Sequence, residues 1–162
     1  MADRQLGTIE NARTAEQAAH MHDTIGQGIC PFCSIDREIN KLIKATYHWN
    51  LWPNPFPYAR RKHHFVLATK EHIVDVRQLT RAMWAEIGDV VRWAAEAFNI
   101  EGGAIIMRFG DPMYTASTIA HLHAHIDAPD GVGPAIAVFS KIDSAGDVPA
   151  QQAEVLAAVM RK

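Results

Sequence analysis

The stretch Ala120-His121-Leu122-His123-Ala124-His125-Ile126 alternates strictly between apolar residues and histidine. On a β-strand successive side chains point to opposite faces, so the three histidines would share one face while Leu122, Ala124 and Ile126 turn into a core. Histidines two apart stand about 6.6–6.8 Å from each other at the Cα. Two can converge on one metal, but three in a row converge only with strain, which leaves an imidazole for chemistry. A polar strand face that happens to carry histidine is the bland alternative. Three at period two, next to a loop rich in small and hydroxylated residues, speak against it. That loop, residues 108–119, can present backbone N–H groups and hydroxyls to an anion.

The chain around this stretch has 162 residues, of which 48% are hydrophobic and 21% charged, the composition of an ordinary globular protein of one domain. Sixteen Lys plus Arg against eighteen Asp plus Glu give a formal charge of −2. This excludes the broad basic footprint of a non-specific nucleic-acid binder but allows a locally positive pocket for a small anion. No apolar run approaches the roughly 20 residues that span a bilayer, and residues 1–20 lack the apolar core of a signal peptide. The expectation is a cytoplasmic protein with no membrane and no nucleic-acid partner. The only two cysteines form Cys30-Pro31-Phe32-Cys33. They are too few for a disulfide framework, so the pair reads as a metal half-site, a redox dithiol or inert buried thiols. The redox reading is weakened because no βαβ pattern surrounds the pair.

Patterning predicts a weak helix over residues 12–22, a short helix or helix-to-strand transition over 35–43, and strands over 47–52 and 64–69. Between the two strands, Pro53, Pro55 and Pro57 remove ladder donors. Apolar residues at helical spacing from Met83 to Phe98 predict the one long helix, over 80–98. Strands are then predicted over 104–109, 120–126 and 135–140, and a short helix over 148–162. The connections between the later strands are too short for repeated parallel crossovers. The fold class is therefore α+β, with a mainly antiparallel sheet, one long helix and a shorter N-terminal helix. Residues 1–28 read as a loosely held N-terminal arm, 29–142 as the functional domain and 143–162 as a C-terminal tail or helix.

His-Leu-His-Ala-His-Ile-Asp at 121–127 resembles the signature of the histidine-triad superfamily of nucleotide hydrolases and transferases, in which histidines alternate with apolar residues. His64-Phe65-Val66-Leu67-Ala68-Thr69-Lys70-Glu71-His72 is similar to that family's upstream histidine-bearing strand. Cys30-Pro31-Phe32-Cys33 is similar to the Cys-x-x-Cys of its zinc-bearing members, residues 135–140 to its closing strand, and Asn54-Pro55-Phe56-Pro57-Tyr58 to an Asn-containing segment of its phosphorylase and uridylyltransferase relatives. Asp127 stands where the signature has an apolar residue, Ala116-Ser117 replaces a glycine-led pair, and Arg60-Arg61-Lys62-His63 is an insertion before His64. The basic run in that insertion reads as a solvated loop or as a guide for a polyphosphate tail.

The resemblance implies roles. His123 would attack an α-phosphorus to form a nucleotidyl-histidine, His125 would hydrogen-bond a phosphate oxygen, and His64 would contact phosphate or orient His123. Ser117 and Thr118 would hold phosphate oxygens or the leaving group, and Asn54 the ribose hydroxyls. His72 and His121 would complete a zinc site with Cys30 and Cys33. Trp49 and Trp52 are candidates for a base pocket, with a core role as the alternative. The implied protein is a homodimeric nucleotide hydrolase or nucleotidyltransferase that cleaves at the α-phosphate of substrates such as diadenosine polyphosphates. Two rivals are a zinc hydrolase in which His121 and His123 hold a catalytic metal, and a nucleotide-binding regulator without turnover.

Overall fold

In the long helix, Met83, Ile87, Val90 and Ala94 are buried while Arg81, Asp89, Arg92 and Glu96 are exposed, so one stripe of the helix must find a partner surface. That surface is a sheet. The computed structural model describes residues 6–35, 40–137 and 139. Its regular elements are α1 (Ala15–Ile25), β1 (Lys44–Ala45), β2 (Trp49–Pro53), β3 (Arg61–Thr69), α2 (Arg81–Ala97), β4 (Ala104–Arg108), α3 (Pro112–Thr115) and β5 (His123–Pro129). The five strands form one antiparallel sheet in the order β1-β2-β3-β5-β4.

Thr80 starts α2 by accepting a hydrogen bond from the Met83 N–H at 3.2 Å, a standard N-cap. The α2 stripe packs on Trp49, Leu51, Phe65, Leu67, Leu122, Ala124 and Ile126, which form the main core. Trp49 is fully buried there, and its indole N–H donates to the Met83 carbonyl at 3.0 Å. The other sheet face carries the alternate residues. Register places His64 opposite Asp127, Val66 opposite His125 and Ala68 opposite His123 on β3 and β5. On β4, Ile106 lies opposite His125 and Arg108 opposite His123. This second face is covered by Phe32 and by the N-terminal segment rather than by solvent.

Several expectations need correction. Strand β5 begins at His123, not Ala120, so His121 precedes the strand, while the Phe32 ring packs edge-on against both its ring and that of His123. Residues 135–137 form no strand; the Ile136 carbonyl accepts a hydrogen bond from the Arg61 guanidinium at 3.2 Å instead of joining a ladder, and residues 138 and 140 lie outside those described. Residues 40–43 are not helical, because the Ile43 N–H donates to Leu51 and already extends the β1–β2 hairpin; residues 36–39 are outside those described. The helix expected over 148–162 is likewise outside them. Of the insertion before His64, Arg60 is an exposed turn residue as expected, whereas Arg61 and Lys62 belong to β3, where Lys62 is exposed. Residues 6–25 are packed rather than loosely held: α1 buries Met21, and Thr8 and Ala120 donate backbone hydrogen bonds, each 2.9 Å long, to Thr118 and Leu6.

Candidate functional site

Alternation on β5 turns His123 and His125 to the face away from α2, and both are buried, as are Ser117 and Thr118. These four line one cavity together with Asn54 and Arg108. Trp52 lines it too, packed edge-on against Phe32 at 5.3 Å between ring centroids, whereas Trp49 belongs to the core.

The protons of the three histidines follow from their partners. The Nδ1 of His123 lies 2.6 Å from the His121 carbonyl oxygen. A carbonyl only accepts, so Nδ1 carries the hydrogen and Nε2 keeps a lone pair. The Tyr58 N–H donates to His64 Nδ1 at 3.0 Å, which places the hydrogen of a neutral His64 on Nε2. That Nε2–H donates to His125 Nδ1 at 2.9 Å, so the hydrogen of His125 in turn sits on its own Nε2. One strand thus offers a lone pair at His123 and an N–H donor at His125.

All three are neutral at pH 7. Burial pushes His123 down to about 4, aided by the positive charges of Arg108 and Arg13 and opposed by the hydrogen bond to His121. Burial also lowers His64 to about 4, against the opposing pull of Asp127. His125 is held well below the ordinary histidine range by burial and then by the neighbouring histidines. A neutral imidazole with a lone pair can attack phosphorus; a protonated one cannot.

Cys30, Cys33, His72 and His121 come together as a second cluster, their ligand atoms all within 4.8 Å of one another. The His121 Nδ1 is 3.4 Å from Cys30 Sγ and 3.5 Å from Cys33 Sγ, and His72 Nδ1 is 3.1 Å from Cys33 Sγ. Neighbouring S and N ligands around tetrahedral zinc stand about 3.5 Å apart, given the usual Zn–S and Zn–N lengths. The His121 Nε2–H donates to the Thr69 carbonyl at 2.7 Å, which fixes the tautomer that leaves Nδ1 a lone pair facing the sulfurs. The donor set therefore fits a closed four-ligand metal site, and His123 is not part of it.

Asn54 is placed at the cavity, but its Oδ1 already accepts from the Phe56 N–H at 2.9 Å and its amide lies against the His64 ring. The Ser117 hydroxyl donates within its own loop, to the Ile119 carbonyl at 3.2 Å. Sequence reasoning missed Arg108, although its position at the end of a strand could have suggested it. It also missed Tyr58 as the residue that orients His64, and Arg13 at the cavity rim, for which the sequence holds no local signal. Arg61 and Asp127 form a buried ion pair, 2.8 Å long, with side chains only 3% and 4% exposed. The expectation that the basic run is solvated or guides phosphate thus fails for Arg61.

No protein-family model and no curated protein matches the sequence. Among solved structures, a HIT family hydrolase from Clostridium thermocellum is similar at a TM-score of 0.52 and 24% identity, over 65% of this chain and 95% of that one. A hypothetical histidine triad nucleotide-binding protein from Sulfolobus tokodaii is similar at 0.50 and 22% identity, over 82% and 89% of the two chains. A histidine triad protein from Clostridium difficile matches at 0.50 and 17% identity, over 73% and 96%. The shared property is the fold, and this chain has the histidine-triad fold.

Proposed function

We propose that this histidine-triad-fold chain is a nucleotide hydrolase or nucleotidyltransferase that works through a nucleotidyl-histidine. The observation that supports it most directly is the 2.6 Å hydrogen bond from His123 Nδ1 to the His121 carbonyl, because it leaves Nε2 as a nucleophile in a cavity lined by donors. In the first step His123 Nε2 attacks the α-phosphorus, an N–P bond forms, and the bond from phosphorus to the leaving oxygen breaks, with the electron pair departing on that oxygen. The Nδ1 hydrogen stays on the ring and is donated to the His121 carbonyl oxygen, which stabilises the cationic ring as it develops. The His125 Nε2–H offsets charge on a phosphate oxygen. In the second step water or another acceptor attacks phosphorus, the N–P bond breaks, and the acceptor's proton passes to solvent. Diadenosine polyphosphates, in which the leaving oxygen belongs to another phosphate, are the leading substrate class.

Cys30, Cys33, His72 and His121 would hold a zinc ion. With four protein ligands the metal has no open position for water, so when bound it supplies order to the segment that enters β5. The reading with His121 and His123 on a catalytic metal has no geometric support, since His123 lies outside the ligand cluster. We further propose a homodimer. Edge strand β4 leaves Ile105 half exposed, as α2 does Trp84, at 50% and 49%.

The test is rapid-quench mass spectrometry with a diadenosine polyphosphate. A nucleotide adduct should appear on the wild type and be absent from His123→Asn, which should keep nucleotide binding and lose turnover by about a thousandfold or more, as for other lost nucleophiles. Full activity in His123→Asn would sink the mechanism.

A further inference from the structure

The floor of the cavity runs across three strands. Trp52 on β2 lies opposite Val66 on β3, and Val66 opposite His125 on β5, so these three form one row on the sheet face that carries the histidines. Two strand spacings put Trp52 about 9–10 Å from His125. Phe32 stands beside the row, edge-on to the rings of Trp52 and His123 at 5.3 and 5.0 Å between centroids. One end of the cavity is therefore imidazole and the other aromatic and aliphatic, a separation that suits the phosphate and the base of one nucleotide.

Asn40 lines the same cavity. The chain leading into β1 brings it there: the Ile43 N–H donates to the Leu51 carbonyl at 2.9 Å, so this segment runs antiparallel to β2, and the residues before Ile43 lie toward Trp52 and Asn54. Asn40 is buried, with only 6% of its surface exposed. Its amide has no hydrogen-bond partner among the described residues, yet neither amide atom is sealed from solvent. The other amides at the cavity are engaged: Asn54 Oδ1 accepts from the Phe56 N–H and Gln17 Oε1 from the Arg13 N–H, each at 2.9 Å.

Buried polar groups are paired as a rule, so an unpaired amide on a cavity wall marks a place for the polar edge of a ligand. An amide offers an acceptor and a donor side by side. A phosphate presents acceptors only, whereas the edge of a nucleobase presents both; in adenine the amino group donates next to a ring nitrogen that accepts, and asparagine pairs with both at once. We propose that Asn40 is a specificity-determining residue that binds the base of the nucleotide at the Phe32 and Trp52 end of the cavity. Its amide oxygen accepts from the amino group of adenine, and its amide nitrogen donates to the neighbouring ring nitrogen. The proposal rests on the nucleotide reading of the same cavity.

The test is calorimetric titration of the full chain with AMP, with purine riboside monophosphate, which is AMP without the amino group, and with ribose 5-phosphate, which lacks the base. Wild type should bind AMP about tenfold more tightly than the purine riboside compound, the effect of one hydrogen bond whose loss leaves the amide oxygen unpaired. Asn40→Ala and Asn40→Leu, the second close to asparagine in shape, should bring those two affinities within about twofold of each other and leave ribose 5-phosphate binding unchanged. Thermal melts show which variants are folded, and the wild-type comparison decides even where one is not. Equal wild-type affinities for the two purine nucleotides, or a preference that survives both substitutions, overturn the role of Asn40 and leave the nucleotide site standing. Wild type that binds AMP no more tightly than ribose 5-phosphate overturns the base pocket, and the role of Asn40 with it. No binding of AMP to wild type overturns the nucleotide reading itself, and this proposal with it.

Discussion

His121 reaches two sites through different atoms: its carbonyl oxygen accepts a hydrogen bond from His123 Nδ1–H at 2.6 Å, while its own Nδ1 faces Cys30 Sγ at 3.4 Å. A single residue thus belongs both to the ligand cluster and to the hydrogen bond that fixes the His123 tautomer.

The first prediction separates the two sites. Purified protein should hold about one zinc per chain, the stoichiometry of one closed site. Cys30→Ser and Cys33→Ser should each lower zinc content and Tm, and activity should fall with the folded fraction. His123→Asn should leave both zinc and Tm nearly unchanged. Elemental analysis with thermal melts decides: zinc kept in both cysteine variants, or lost on replacing His123, would show that the ligands are other residues.

The second concerns the Arg61 and Asp127 pair, two departures from the histidine-triad signature that compensate each other. Arg61→Met should cost about 3–5 kcal/mol, because it leaves the Asp127 carboxylate buried without a partner. Adding Asp127→Leu, which restores the apolar residue of the signature, should recover most of that loss. Denaturant unfolding of the two singles and the double variant measures the cycle. A double variant no more stable than Arg61→Met alone would count against the pairing.

The third is a pH dependence. His64 titrates near 4 when folded and near the ordinary value of about 6.5 when unfolded. Between these values the unfolded chain binds more protons, so stability rises with pH. The native state should be at full strength above about pH 6.5 and weaken progressively as the pH falls toward 4. His64→Asn should have a shallower decline in Tm over that window than wild type, measured at the same metal content. Parallel declines would contradict the assignment.

The fourth addresses the backbone. Ala116 has φ of +52°, in the left-handed region where a Cβ costs about 1–2 kcal/mol. Ala116→Gly removes that strain and adds some unfolded-state entropy, about 0.4–1 kcal/mol in the opposite sense. The net expectation is a rise in Tm of about 2–4 °C, read by calorimetry. A fall in Tm would mean that the methyl group is needed where it stands.

The sequence by itself determined which residues face which side. Alternation at period two and apolar spacing at period 3.6 are local properties, and burial acts on them directly; hence α2 lies within one residue at each end of its expected span, and Leu122, Ala124 and Ile126 are in the core. The resemblance to the histidine-triad signature further brought Cys30, Cys33, His72 and His121 together as one expected set, and the fold gathers those four. What only the tertiary structure decided depends on pairing between distant segments. Strand register put Arg108 beside His123 and Asp127 within reach of Arg61. The close approach of Gly7 to Thr118 turned an arm expected to be loose into a wall carrying Arg13. The Ile136 carbonyl went to the Arg61 guanidinium instead of a closing strand. No periodicity encodes these outcomes, because each depends on which of several possible partners a buried polar or backbone group meets once the core has formed.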